Sequence, residues 1–220
     1  MRHTTGIIWA VFDEPVRMYR GNTLAGCIKD ERYHQPGRDF VGGYYMQTMA
    51  LGLSFFASRL ASNLDFAGWG PEFAGTMEAY ECIAGMYLVG EDLPQEANCV
   101  TLHPTQKDQF GLPIPNVHFD DHVNNISMRN HAYARGAMGG TRIIRCPPGP
   151  STHNLGTCRQ SVRPEDGVCN KWGQTHDIEN LFISDGSQFT TSTAENPTLT
   201  IVALAIRQAD YIADQMANHL

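Results

Sequence analysis

The chain opens on short apolar runs and closes on a long one, with Gly- and Pro-rich punctuation between them. Residues 6–12 (GIIWAVF) and 40–49 (FVGGYYMQTM) concentrate β-branched and aromatic side chains, which suit a pleated surface and predict strands. Residues 53–64 (LSFFASRLASNL) place apolar positions at helical intervals and predict a helix. The Gly and Pro content of 65–71 (DFAGWGP) marks a loop, followed by a short helix over 72–80 and a strand over 82–89. A hairpin comes next: 99–102 alternates into a strand, 107–111 (KDQFG) supplies the turn, and 115–119 returns. Asp120 and Asp121 stand where a helix N-cap belongs, ahead of a helix over 122–138 that Gly139 and Gly140 end.

The run 146–150 (CPPGP) breaks the composition, and a loop-rich segment leads to a compact strand over 181–184 (LFIS) ended by Asp185 and Gly186. The last element is a helix over 197–216, with Asn196 as N-cap and Pro197 at the first helical position, where its missing N–H costs nothing. Leu199, Ile201, Val202, Leu204, Ala205, Ile206 and Ala209 leave it little polar face for two turns. A helix apolar all round is expected to be buried, with its N-terminus pointing inward. Such an end can hold an anion, although a plain capped core helix has the same features and is favoured on this segment alone. The expected class is α+β: an antiparallel sheet with helices on one face, then a C-terminal strand and a buried helix.

Composition narrows the partners. The 220 residues carry a net charge of −7 with no Lys/Arg cluster, which excludes nucleic acid as an expected partner. No apolar run approaches the roughly 20 residues of a membrane helix, and the first residues lack the apolar core of a secretory signal. Localisation is left open between cytoplasm and periplasm. Six cysteines without a C-x-x-C pair predict reduced, mostly buried thiols rather than a zinc site or a disulfide framework.

Chemistry concentrates near the C-terminus. Asp185, Gly186 and Ser187 set a carboxylate and a turn at the end of a strand, where ligands of α/β crossovers bind. His153 precedes a Gly156 turn on a polar loop, where a histidine is a candidate for proton transfer. Taken alone, a histidine bonded only to backbone explains it as well. Trp9, Trp69, Tyr44 and Tyr45 could face a sugar ring, but core packing is the favoured account. His118, Asp120, Asp121 and His122 are close enough in sequence for a metal site, yet a strand and a helix cap would splay them, so no metal is expected.

Three segments, HNLGTCR, NLFISDGSQFTT and ENPTLTIVALAIRQADYI, occur in the order and spacing of the glucose–methanol–choline (GMC) oxidoreductase family and resemble its C-terminal signature from His153 onward. The hairpin and the run PNVHFDDHVNN more loosely resemble the substrate domain of bacterial FAD-dependent sugar and polyol dehydrogenases of that family. The resemblance implies FAD as cofactor and oxidation of a CH–OH group of a sugar or polyol by hydride transfer to flavin N5. His153 matches the active-site histidine that takes the hydroxyl proton, and Asn196 the second active-site position, which hydrogen-bonds the substrate oxygen. Asp185 and Gly186 match the turn that contacts the ribityl and pyrophosphate portion; Asn196, Pro197 and Thr198 match the helix start at the flavin's pyrimidine edge. A quinone or cytochrome as electron acceptor and a small partner subunit are further implications.

The chain departs from the family in one respect: no G-x-G-x-x-G turn between a strand and a helix is present. Residues 1–145 are expected to form the substrate-binding sheet region and 146–220 the catalytic, flavin-contacting segment, with the N-terminal dinucleotide-binding half absent. The alternative is a truncated, non-catalytic fragment or interaction module that needs a separate flavin domain.

Overall fold

The computed structural model describes residues 1–63, 68–136, 139–146, 148 and 151–218. The expected loop at 65–71, the expected helix ends at 64 and 137–138, and the break at 146–150 lie wholly or partly outside them. In chain order the elements are β1 (Thr4–Val11), β2 (Cys27–Ile28), β3 (Tyr44–Met49), α1 (Leu53–Ala61), α2 (Pro71–Glu78), β4 (Ile83–Gly90), β5 (Val100–Lys107), β6 (Pro113–Val117), α3 (Val123–Arg135), β7 (Arg142–Cys146) and α4 (Thr198–Asn218). They divide between two compact units. His3–Glu91 and Val123–Ser151 form a sheet unit; Met1–Arg2, Asp92–His122 and Thr152–Leu220 form a helix unit.

The sheet unit is a five-stranded sheet of order β2-β3-β4-β1-β7, antiparallel at every pairing. β1 lies inside it and is buried on both faces, which is why its sequence is continuously apolar rather than alternating. Ile7 and Trp9 point to one face, where they pack with Phe56 and Leu60 of α1, Ile83 and Ile144. Ile8 points to the other, against Met46, Met86, Leu88 and the α3 residues Met128, Ala132 and Tyr133. The α+β class and the antiparallel sheet are as expected. The helices, however, flank both faces, because a strand apolar on two sides needs a cover on each.

Trp9, Tyr44 and Tyr45 are core residues, whereas Trp69 is exposed. β7 was not foreseen from the sequence. Only Ile143 and Ile144 carry its apolar signal, between two arginines, and pairing with β1 makes it a strand.

In the helix unit, β5 and β6 pair with Val100 opposite Val117 and Leu102 opposite Pro115, as the hairpin pattern predicts. The expected strand at 181–184 is not formed. One bridge from Phe182 to Gln174 is all that remains, since no neighbouring strand continues the pairing among the described residues.

α4 also differs from expectation. Its inner side packs: Tyr211 stacks on Trp172 at 4.7 Å, and the Gln208 amide donates to the carbonyls of Trp172 (2.9 Å) and Ile183 (2.8 Å). Its other side does not. Leu199, Val202, Ile206 and Met216 are exposed, Leu199 at 85%. The helix expected to be buried is therefore covered along one face only, because no second layer packs on it among the described residues. No helix among them is long and apolar enough to cross a membrane.

Candidate functional site

The three signature segments meet at the backbone of Gly186. Residues 156–160 run beside 186–188: the N–H of Gly156 donates to the Gly186 carbonyl (3.2 Å), that of Cys158 to Ser187 (2.9 Å) and that of Gln160 to Gln188 (2.9 Å). This ladder fixes the end of the loop that carries His153. Gly156 adopts φ 79°, the left-handed turn its glycine predicts. A Cβ on Gly186 would come within 2.7 Å of the Leu155 side chain and 3.4 Å of Ile201 in the first turn of α4. Gly186 thus lets the His153 loop and the start of α4 close on the same turn.

Asp185 shapes that turn. Its Oδ1 accepts from the Ser187 N–H (2.8 Å) and from the Ser187 hydroxyl (2.5 Å). The hydroxyl first, and the N–H second, hold the carboxyl below its ordinary range. A folded value below the unfolded one means the turn's stabilisation is complete above the ordinary aspartate range and fades as pH falls through the lowered value. Ser187→Ala removes the larger cause, so an NMR titration of Asp185 should shift upward toward an ordinary carboxyl. An unchanged titration would show that the hydroxyl is not responsible.

His153 is half-buried on a coil segment. Asn196 is exposed, and its amide makes no hydrogen bond among the described residues. The N-cap expected of Asn196 is displaced by one residue: the first intrahelical bond runs from the Ile201 N–H to the Pro197 carbonyl, so Pro197 takes the cap position and Thr198 begins the helix. Pro197 is buried, while Thr198 and Leu199 are exposed. The N-terminus expected to point inward therefore opens outward, for the reason that leaves the rest of the outer face bare. Asn196, released from capping, is left exposed.

Other sequence candidates separate. His118 Nε2 lies 3.3 Å from Asp120, and Asp121 faces Arg2 at 3.7 Å. No group of three or more His, Cys, Asp or Glu among the described residues is arranged to hold a metal ion. All six cysteines are free, but only Cys146 and Cys169 are buried. Gln208, which anchors α4 through two carbonyls, carried no sequence signal, since it stands among other polar residues between Arg207 and Asp210.

Residues 140–205 match the family model described as GMC oxidoreductase. The chain is 40% identical over 214 residues (91% of this chain) to 2-methyl-1,2-propanediol dehydrogenase of Mycolicibacterium austroafricanum. It is 36% identical over 139 residues (60% of this chain) to the fructose dehydrogenase large subunit of Gluconobacter japonicus. To C-glycoside 3-oxidase of Arthrobacter globiformis it is 33% identical over 148 residues (63% of this chain). These matches span 38%, 25% and 28% of the respective relatives. Sequence and fold together match this chain to the GMC oxidoreductase family, in its C-terminal, substrate-domain portion.

Proposed function

We propose that this chain is non-catalytic by itself and contributes the substrate-facing side of a GMC-type oxidoreductase, acting on a CH–OH group only with a separate flavin-binding portion. The observation that carries this reading is the bare outer stripe of α4: Leu199, Val202 and Ile206 recur at helical spacing on a helix whose other side is packed. A run of exposed apolar side chains beside an exposed helix N-terminus suits a covering body rather than water. The sequence holds no pyrophosphate-cradling G-x-G-x-x-G turn, so FAD affinity would come from that body.

The residues present fit one edge of FAD. The first-turn N–H groups of α4 have no intrahelical partner, and Asn196, Thr198 and Leu199 around them are exposed. Asp185, engaged by Ser187, would keep the turn in shape beneath the ribityl and pyrophosphate portion, with Gly186 leaving room. When bound, FAD supplies the hydride acceptor. On this chain, His153 would take the hydroxyl proton as general base and Asn196 would hydrogen-bond the substrate oxygen. Residues 1–145 would form the substrate-binding region and 146–220 the catalytic, flavin-contacting segment.

The relatives are named for a diol, for fructose and for C-glycosides, which supports a sugar or polyol as substrate. A quinone or cytochrome acceptor and a small partner subunit belong to the same proposal.

The test mixes the purified chain with a flavin-loaded domain from a family member and follows dye reduction by sugars and polyols. The chain alone should be colourless and inactive, and the mixture should reduce dye only when substrate is present. A yellow chain with stoichiometric flavin, or a mixture no more active than its parts, overturns the proposal.

A further inference from the structure

The helix unit contains a groove that neither His153 nor Asn196 lines. Its cavity volume is about 390 Å³, and its walls come from residues 94–100 and from the loop 156–168. That size lies within the range of small-molecule sites.

Gln95 lines it, and the amide nitrogen of Gln95 is shut off from solvent without a hydrogen-bond partner among the described residues. A buried donor left unpaired is costly, and most are satisfied by protein, water or a ligand. An oxygen acceptor lying in the groove would satisfy this one.

The remaining lining chemistry selects the acceptor's carrier. Glu165 and Asp166 are each paired with Arg163, at 3.3 and 2.7 Å, through exposed ion pairs that leave the groove wall acidic. Arg159 donates its Nε to the Asp166 carbonyl (2.8 Å) and lines the groove together with Thr157 and Glu96. The wall thus carries both donors and acceptors, with three carboxylates and one guanidinium. An anion would meet a surplus of negative groups. An apolar ligand would strand the polar ones. Vicinal hydroxyls, each both donor and acceptor, match the set.

We propose that this groove is a binding site for a small, neutral, polyhydroxylated ligand of about one sugar ring, distinct from the site of CH–OH oxidation. It does not depend on the proposed function, because no flavin or redox step enters it.

The test titrates the isotope-labelled 220-residue chain with D-glucose, D-glucitol and, as the anionic probe, D-glucuronate, following backbone amide shifts. Saturable shifts confined to residues 94–100 and 156–168 are expected for the two neutral probes, with weaker binding of glucuronate. Gln95→Ala should raise the dissociation constant about three- to tenfold, the loss of one hydrogen bond. Thr157→Val, an exposed change that leaves the fold alone, should act in the same direction. The idea is overturned by the absence of saturable shifts, by equal binding of glucuronate, or by affinities that neither variant alters. Shifts centred instead on His153 and Asn196 would also overturn it while leaving the proposed oxidation untouched.

Discussion

His153→Ala, in the chain combined with a flavin-binding portion, is expected to slow reduction of the flavin by substrate by about two to four orders of magnitude, the usual contribution of a general base. The carbinol proton must leave as the hydride departs, and an imidazole can accept it near neutral pH. The end of the loop is fixed by the backbone ladder from Gly156, Cys158 and Gln160 to residues 186–188, which alanine leaves in place. The fold should survive while the chemistry fails. Anaerobic stopped-flow with saturating substrate reads the step directly, and unchanged urea unfolding confirms the scaffold. Near-normal flavin reduction in that variant would remove His153 from the chemistry.

Trp9→Ala is expected to cost about 3–5 kcal/mol of stability, the range for deleting a large buried aromatic ring. Trp9 is fully buried at the centre of the sheet unit and meets Phe56 edge-on at 5.0 Å, and Phe56 in turn packs on Tyr80 at 5.5 Å. Emptying that position removes apolar burial from the cluster it shares with Ile7, Phe56, Leu60, Ile83 and Ile144 and leaves a cavity between the sheet and α1. Urea denaturation followed by circular dichroism measures the loss. A cost under about 1 kcal/mol would mean that the site collapses far more than cores ordinarily do. A loss of about 3–5 kcal/mol would also mark a structural tryptophan rather than a sugar platform, the alternative that its residue type leaves open.

Most elements were legible because local pattern and tertiary surroundings agree for them. The apolar run at 6–12 matches β1, the helical spacing at 53–64 matches α1, and the turn at 107–111 joins β5 to β6. Disagreement arose where a neighbour decides. Arg142 and Arg145 hide β7 in the sequence, and its partner β1 reveals it. The opposite holds at 181–184, whose strand-like composition meets a single bridging residue. The signature segments were likewise readable as motifs, but their meeting point was not. Gly186 had been read as a turn residue; its close approach to Leu155 and Ile201 follows only from three distant stretches sharing one place.

The α+β class and the match to the family are legible in the order of apolar and polar residues and in the motifs around His153, Asp185 and Asn196. Both depend on local periodicity and on motif spacing, which are properties of the chain. The tertiary structure alone decided that α3 and the pair α1 and α2 take opposite faces of the sheet, that Pro197 displaces Asn196 from the cap, and that α4 keeps one apolar face bare. Burial is a relation between segments: an apolar sequence states what a helix would exclude from water, and only the surrounding layers fix which of its faces is covered.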